Sequence, residues 1–141
     1  MHKFVSKETV SWAHCDAAGI VFYPQFYIWF DQSTERYFSA KGLSYQELSS
    51  DFGISGMPLL ETGAAYKRPC ELGVRLTITT WIDEWKPKTF LVKHRITYKD
   101  TLVALEGFER RAMVVSDAEA KSGMRAIEIP EEIKHRFTVE R

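Results

Sequence analysis

One long apolar segment ahead of four strand-like segments most constrains what this 141-residue chain can fold into. The segment PQFYIWFDQSTERYFSAKG (24–42) predicts a helix, because its aromatic and small residues recur at a spacing of three and four. These residues are Phe26, Trp29, Phe30, Ser33, Tyr37 and Ala40. Pro24 suits the first turn of such a helix, and Gly42 suits the position just past its end. Since Tyr27 and Phe38 lie off the stripe, we expect the helix to be covered on more than one side.

The rest of the chain predicts mostly strands. Long segments rich in β-branched and aromatic residues, separated by Pro, Gly or Asp, predict an antiparallel meander. They span 56–69, 74–85, 89–100 and 102–117, and shorter elements are predicted at 8–14 (strand), 44–53 (helix), 124–129 (strand) and 130–137 (helix). With no repeat or linker in the sequence, this order predicts one α+β domain over residues 1–141. A sheet of about five strands would curl around the long helix.

Composition argues against several classes of function. Lysine plus arginine equals aspartate plus glutamate at 19 each, so no net positive charge would attract a nucleic acid. The first ten residues lack the apolar run of a signal peptide, and GIVFYPQFYIWF (19–30) is too short to cross a bilayer. Cys15 and Cys70 form no C-x-x-C motif, which favours reduced, buried thiols. We therefore expect a cytoplasmic protein that binds neither membrane nor nucleic acid.

The segment HCDAAGIVFYP (14–24) places a single carboxylate, Asp16, just upstream of the long helix. By itself DAAG is good turn sequence, because Asp readily accepts a hydrogen bond from the backbone that follows it. Pro24 nevertheless marks a helix start, where the N–H groups of Tyr23, Gln25 and Phe26 would lack partners within the helix and carry the positive end of its dipole. A carboxylate beside donors aimed at a developing oxyanion is what acyl transfer requires.

Other reactive residues give weaker signals. His14, Cys15 and Asp16 are consecutive and cannot easily all point at one ion, so we expect no metal site. The spacing of Cys70, His94 and His135 does not indicate a catalytic triad. The segment EWKPKTF (84–90) sets Lys86 and Lys88 on either side of Pro87 in a predicted turn. That turn could be an ordinary solvated hairpin or a polyphosphate-binding site.

Taken together, these motifs resemble the hot-dog thioesterases, and within them the 4-hydroxybenzoyl-CoA thioesterase-like acyl-CoA hydrolases. The resemblance rests on CDAAGIVFYPQFYIWFDQSTERYF (15–38) and extends through GISGMPL (53–59), EWKPKTF and RAIEIP (125–130), so it covers nearly the whole chain. It departs from the family at Gln25 and Phe26, where Asn and Tyr are frequent, and at Pro87 within the basic turn.

The resemblance implies a role for each matching residue. Asp16 would be the catalytic carboxylate, and the backbone N–H of Tyr23 would polarise the thioester carbonyl. Lys86 and Lys88 would bind the phosphates of coenzyme A, while Asp31 matches an acidic family position without an assigned role. It also implies a homodimer or homotetramer whose sites lie between subunits, with no cofactor beyond the CoA of the substrate. Aromatic residues around the motif suggest an aromatic or short-to-medium acyl group; they are Phe22, Tyr23, Phe26 and Trp29.

Two other functions are compatible with such a fold. A hot-dog hydratase or dehydratase would need a histidine close to the long helix to pair with a carboxylate, and the helical segment contains none. A non-catalytic module that only binds acyl thioesters would have no need of a carboxylate beside an apolar pocket. Hydrolysis of an acyl-CoA thioester therefore accounts best for Asp16.

Overall fold

The computed structural model describes residues 2–138 and confirms an α+β architecture. The helices are α1 (Pro24–Ala40), α2 (Tyr45–Phe52) and α3 (Glu131–Arg136). The strands are β1 (Phe4–Thr9), β2 (Leu59–Tyr66), β3 (Arg75–Trp85), β4 (Thr89–Tyr98), β5 (Leu102–Ala112), β6 (Val114–Ser116) and β7 (Met124–Ala126). None of the helices within these residues is both long and apolar enough to span a membrane.

Helix ends agree with the cap signals of the sequence. Ser44 and Glu47 form a capping box at the start of α2, with the Glu47 amide 3.1 Å from the Ser44 hydroxyl. Gly42 and Gly53 follow α1 and α2 at φ angles of 73° and 67°, a backbone conformation that glycine adopts without strain. The strand predicted over 8–14 was wrong. Strand β1 ends at Thr9, and Trp12–His14 forms a single 3₁₀ turn.

The main sheet has five antiparallel strands in the order β1-β3-β4-β5-β2. Strands β3, β4 and β5 form the predicted meander, but β2 does not continue it, because it pairs with β5 at the far edge. The side of β3 that faces away from β4 is occupied by β1, with Phe4 opposite Thr80. The chain must therefore cross from one edge of the sheet to the other between β2 and β3. A second, two-stranded sheet pairs β6 with β7, which confirms the short strand predicted near 124–129.

Helix α1 packs one wide face on the sheet. Its buried residues are Phe26, Trp29, Phe30, Ser33, Thr34, Tyr37 and Phe38. Phe30 packs so closely against Gly107 of β5 that a Cβ atom at this position would overlap the Phe30 ring, so only glycine fits there. The opposite face, including Ile28, Asp31 and Glu35, is exposed, as is Ala40. Phe38, which lies off the predicted stripe, is nevertheless buried and packs against Phe90 of β4 and Phe137, so the cover of the helix does extend beyond the stripe.

A buried polar network joins α1 to the sheet. Glu109 of β5 accepts hydrogen bonds from the Thr34 hydroxyl and from Arg111, whose Nη2 lies 2.7 Å from the Glu109 carboxylate. His94 Nε2 lies 3.0 Å from Glu109, and its Nδ1 lies 2.8 Å from the Thr80 hydroxyl. Arg111 also bonds Asp31 of α1 and the Met57 carbonyl, each at 2.7 Å. Because Glu109 is only 2% exposed, these partners are what make burial of its charge possible.

Candidate functional site

The loop that carries Asp16 is a compact turn. The Asp16 Oδ1 atom accepts a hydrogen bond of 2.8 Å from the Ala18 amide, and the Asp16 amide donates to the Ile20 carbonyl at 3.0 Å. Gly19 closes the turn at a φ angle of 77°. Asp16 therefore does stabilise the turn that DAAG predicts, and this uses one of its two carboxylate oxygens. Among the hydrogen bonds of residues 2–138, none uses Oδ2, so the same side chain can hold the turn and present a free oxygen.

His14 holds the residues on either side of this loop in place through contacts of its ring and its carbonyl. Its Nδ1 accepts a hydrogen bond of 3.0 Å from the Ser11 amide, and its ring meets the Trp29 ring edge-on at 4.9 Å between centroids. Its carbonyl accepts from the Phe22 amide at 2.9 Å. These contacts assign His14 a structural role in fixing the approach of the chain to α1.

Within the part of the chain that the structure describes, the start of α1 leaves the backbone amide of Tyr23 available next to this loop. The Gln25 and Phe26 amides have no partner within α1, as expected, but they donate to the carbonyls of Phe22 and Tyr23 just before it, at 2.9 and 3.1 Å. The chain turns tightly before Pro24, and this brings those carbonyls within reach. Over residues 2–138, no hydrogen bond uses the amide of Tyr23, the residue that caps the helix. It lies at the positive end of a 17-residue helix, where a developing negative charge is stabilised.

Asp16 and Tyr23 line the same cavity of about 500 Å³. Its walls are otherwise largely apolar: Ile20, Val21, Phe22, Phe26, Tyr66, Pro69 and Cys70. Of the aromatic residues suggested to surround an acyl group, Phe22 and Phe26 do line the cavity. Trp29 does not, since it is 2% exposed and packs in the core against Phe26. The arrangement can enclose an apolar acyl chain and place its carbonyl group near a carboxylate and an amide donor.

The charged residues at the cavity differ from those that the sequence suggested. Lys67 and Arg68, at the exit of β2, line the cavity with Asp16, whereas Lys86 and Lys88 do not. The latter pair lies in the turn between β3 and β4, where Lys86 Nζ is 3.9 Å from Glu84. Sequence reasoning missed Lys67 and Arg68 because only the crossing between β2 and β3 carries them to the Asp16 loop.

The remaining reactive side chains are the two cysteines and His94. Cys70 is buried, and burial raises the pKa of its thiol to about 11, so it stays protonated at neutral pH. Cys15 is only partly buried, contrary to expectation, and its Sγ lies 3.4 Å from the Ser11 carbonyl. His94 stacks on Phe30 of α1 at 4.6 Å between centroids. A histidine thus does approach the helix, from β4, although it is buried and does not line the cavity.

Comparison with curated proteins identifies relatives along most of the chain. The chain is 30% identical over 129 residues to the 4-hydroxybenzoyl-CoA thioesterase of Pseudomonas sp. (strain CBS-3), a match that covers 88% of this chain and 89% of that relative. It is 26% identical over 100 residues to the 1,4-dihydroxy-2-naphthoyl-CoA hydrolase of Synechococcus sp. (strain CC9605), covering 68% and 67% of the two chains.

Solved structures of similar fold agree with these relatives. The 4-hydroxybenzoyl-CoA thioesterase of Pseudomonas sp. strain CBS-3 superposes with a TM-score of 0.86 at 27% identity, covering 96% of this chain and 99% of that chain. A gentisyl-coenzyme A thioesterase superposes with a TM-score of 0.78 at 29% identity, covering 96% and 100%. The family model of the Thioesterase-like superfamily matches residues 10–137. The chain therefore belongs to the Thioesterase-like superfamily and is a thioester hydrolase with the hot-dog fold.

Proposed function

We propose that this protein hydrolyses the thioester of an aromatic or short-to-medium acyl-CoA, with Asp16 as the catalytic carboxylate. One observation carries the proposal: Asp16 and Tyr23 line the same cavity. Within residues 2–138, Asp16 keeps one carboxylate oxygen without a hydrogen bond, and the Tyr23 amide has no acceptor. The names of its relatives support an aromatic acyl-CoA. A solved 4-hydroxybenzoyl-CoA thioesterase in which one Asp is replaced by Asn is a complex with 4-hydroxybenzoyl-CoA, which supports a role for an Asp in turnover.

The proposed reaction uses groups that the cavity already contains. The free oxygen of Asp16 either attacks the thioester carbon or removes a proton from the water that does so. Negative charge then develops on the carbonyl oxygen, where the Tyr23 N–H donates to it. The C–S bond breaks, and the thiolate of CoA leaves and takes up a proton. When water is the nucleophile, this step gives the carboxylic acid directly. When Asp16 is the nucleophile, it leaves a mixed anhydride with Asp16, and a water then hydrolyses this anhydride to the acid and the free carboxylate. These steps need neither a metal nor a redox cofactor, because the carboxylate and the helix start supply the base or nucleophile and the oxyanion donor.

The two roles of Asp16 differ in the path of the oxygen atom. If Asp16 attacks directly, a single turnover in ¹⁸O-labelled water places the label in its carboxylate when the mixed anhydride is hydrolysed at the aspartyl carbon. If Asp16 acts on water, the label enters only the acid product. Label in the peptide that contains Asp16, measured by mass spectrometry, identifies direct attack.

Substrate class is tested by turnover of a panel of acyl-CoA thioesters. The apolar, partly aromatic walls favour benzoyl-type and short acyl groups, because an aromatic ring can pack against Phe22, Phe26 and Tyr66. We expect kcat/KM for benzoyl-CoA and short acyl-CoAs to exceed that for palmitoyl-CoA at least about tenfold. A preference for palmitoyl-CoA would contradict the proposed acyl class, and no turnover of any thioester would contradict hydrolysis itself.

The edge of the sheet supports a proposed homodimer. Within residues 2–138, strand β2 pairs only with β5, so the hydrogen-bonding groups of its other side have no strand partner there. Leu59, Leu60 and Tyr66 of β2 are each about half exposed, and Tyr66 also lines the cavity. A second copy pairing along β2 would cover these residues and lie close to the Asp16 site.

The assembly is measured by sedimentation. At micromolar concentration we expect a homodimer or a homotetramer built from it, because a solvated edge strand with exposed leucines favours self-association. A fully active monomer in the same buffer would contradict this assembly.

The proposed nucleotide contacts remain Lys86 and Lys88. The turn that carries them is held by a 2.8 Å bond from the Lys86 amide to the Thr89 carbonyl, and both side chains reach solvent. Such a turn can present two point charges to the phosphates of CoA.

A hydratase or dehydratase is less well supported. The His94–Glu109 pair that such an enzyme could use lies in the core, 3.0 Å apart and away from the cavity.

A further inference from the structure

Two cations at the Asp16 cavity are not used by the proposed reaction. The charged residues that line the cavity are Asp16, Lys67 and Arg68, so its walls carry a net positive charge. An entirely apolar acyl group has no use for this charge. The imbalance points to a substrate that brings an anionic group to the walls of this cavity.

Neither cation is neutralised within residues 2–138. Other basic residues of the sheet have carboxylate partners, such as Lys93 with Asp83 at 3.3 Å and Arg110 with Glu84 at 3.2 Å. Lys67 and Arg68 have no ion pair among the described residues. Arg68 does donate from Nη1 to the Val103 carbonyl at 2.8 Å, which fixes one edge of its guanidinium and leaves the other nitrogens for a ligand.

The backbone holds both residues rigidly against the catalytic loop. The amides of Lys67 and Arg68 both donate to the Ala104 carbonyl, at 2.8 and 2.9 Å. A few residues further on, the Val21 amide donates to the Cys70 carbonyl at 2.9 Å. The Leu72 amide likewise donates to the carbonyl of Gly19, in the Asp16 turn, at 3.0 Å. The basic pair and Asp16 are therefore carried by two segments that are bonded to each other.

We infer that Lys67 and Arg68 bind an anionic group of the thioester substrate inside the Asp16 cavity. The anion is either a phosphate of the CoA carrier or a carboxylate on the acyl group, since both present oxygens that a guanidinium fork and an ammonium can bind. This inference rests on the proposed function. It assigns substrate binding to a basic pair separate from Lys86 and Lys88.

The test compares three thioesters on the wild type and on the double variant Lys67→Gln/Arg68→Gln. Benzoyl-CoA carries phosphates, benzoyl-pantetheine carries no anion, and 4-carboxybenzoyl-pantetheine carries only a carboxylate. We expect KM to rise about 10- to 100-fold for the thioester whose anion is bound, because charge-assisted hydrogen bonds are lost, with kcat little changed. A rise for benzoyl-CoA alone identifies a phosphate, and a rise for 4-carboxybenzoyl-pantetheine alone identifies a carboxylate.

A charge-matched control removes two exposed cations elsewhere, in the double variant Lys99→Gln/Lys121→Gln. It should leave every KM unchanged. The inference is overturned if the cavity variant changes KM equally for all three thioesters, or for none of them.

Failure of the proposed function would be separately visible. If the wild type hydrolyses nothing, calorimetric titration with benzoyl-CoA and the two pantetheine thioesters still measures binding. Weaker binding of an anionic thioester by the cavity variant supports the inference, and unchanged binding of all three overturns it.

Discussion

Replacing Asp16 by Asn should leave the fold intact and lower kcat by about 10²- to 10⁴-fold, the range for loss of an acid–base group. The fold should survive because the amide oxygen of Asn can accept the hydrogen bond from Ala18 that Asp16 Oδ1 now accepts at 2.8 Å. The reaction should not survive because an amide neither attacks a thioester nor takes a proton from water. Measuring kcat and Tm together separates the two effects, and an even larger loss of kcat is expected if Asp16 is the nucleophile.

Asp117 offers a matched control within the same chain. Its Oδ1 accepts a hydrogen bond of 3.0 Å from the Glu119 amide, in the same kind of turn, and it does not line the cavity. Asp117→Asn should therefore retain wild-type kcat. In contrast, Asp16→Ala should lose both kcat and some stability, since it removes the turn bond as well as the carboxylate. Near wild-type turnover by Asp16→Asn would show that Asp16 serves the turn alone.

The second large effect is expected on stability, from Glu109→Gln. Burial alone would raise the pKa of Glu109. The hydrogen bond from His94, the charges of His94 and Arg111 and the bond from Thr34 outweigh burial and lower the pKa from 4.5 to about 2. The charged carboxylate therefore contributes about 3 kcal/mol at neutral pH by linkage. Gln keeps the volume but leaves Arg111 without its buried counter-charge, so we expect unfolding to become easier by about 3 to 5 kcal/mol.

The pH dependence of this contribution has a defined sign. Because the folded-state pKa is lowered, the stabilisation is fully present above about pH 4.5 and is lost as the pH falls towards 2. Wild-type Tm should fall over that window, and the fall should be shallower in Glu109→Gln. Glu106→Gln is the control, because Glu106 lies on the same strand but is half exposed, 3.9 Å from Arg95. A Glu109 variant with wild-type Tm across this range would show that the network does not stabilise the core.

Local signals in the sequence were enough to predict most of the helices and strands. Pro24 and Gly42 frame α1, and the pair Ser44 and Glu47 starts α2, because each cap depends only on residues a few positions away. Local signals could not predict which strand pairs with β2. Alternation within 56–69 predicts a strand, but its neighbour depends on β1 already occupying the edge of β3.

The same contrast between local signals and long-range contacts applies to the residues of the candidate site. Asp16 and Tyr23 could be found because one short segment carries both the carboxylate and the helix start. Lys67 and Arg68 lie about 50 residues away in sequence, and only the crossing from β2 to β3 brings them to the loop. The partners of His94 were hidden for a related reason, since Thr80 and Glu109 face it from two neighbouring strands.

The strand order also bears on the sequence of events during folding. The β3-β4-β5 meander is made of neighbours in sequence, whereas Phe4 must find Thr80 and Leu59 must find Arg111 before the sheet is complete. Contacts between distant residues carry a larger loop-closure cost and tend to form later. The cavity also depends on such contacts, because the hydrogen bond from the Val21 amide to the Cys70 carbonyl joins two of its walls that are distant in sequence. A refolding chain would therefore acquire its central hairpins first and its catalytic competence last.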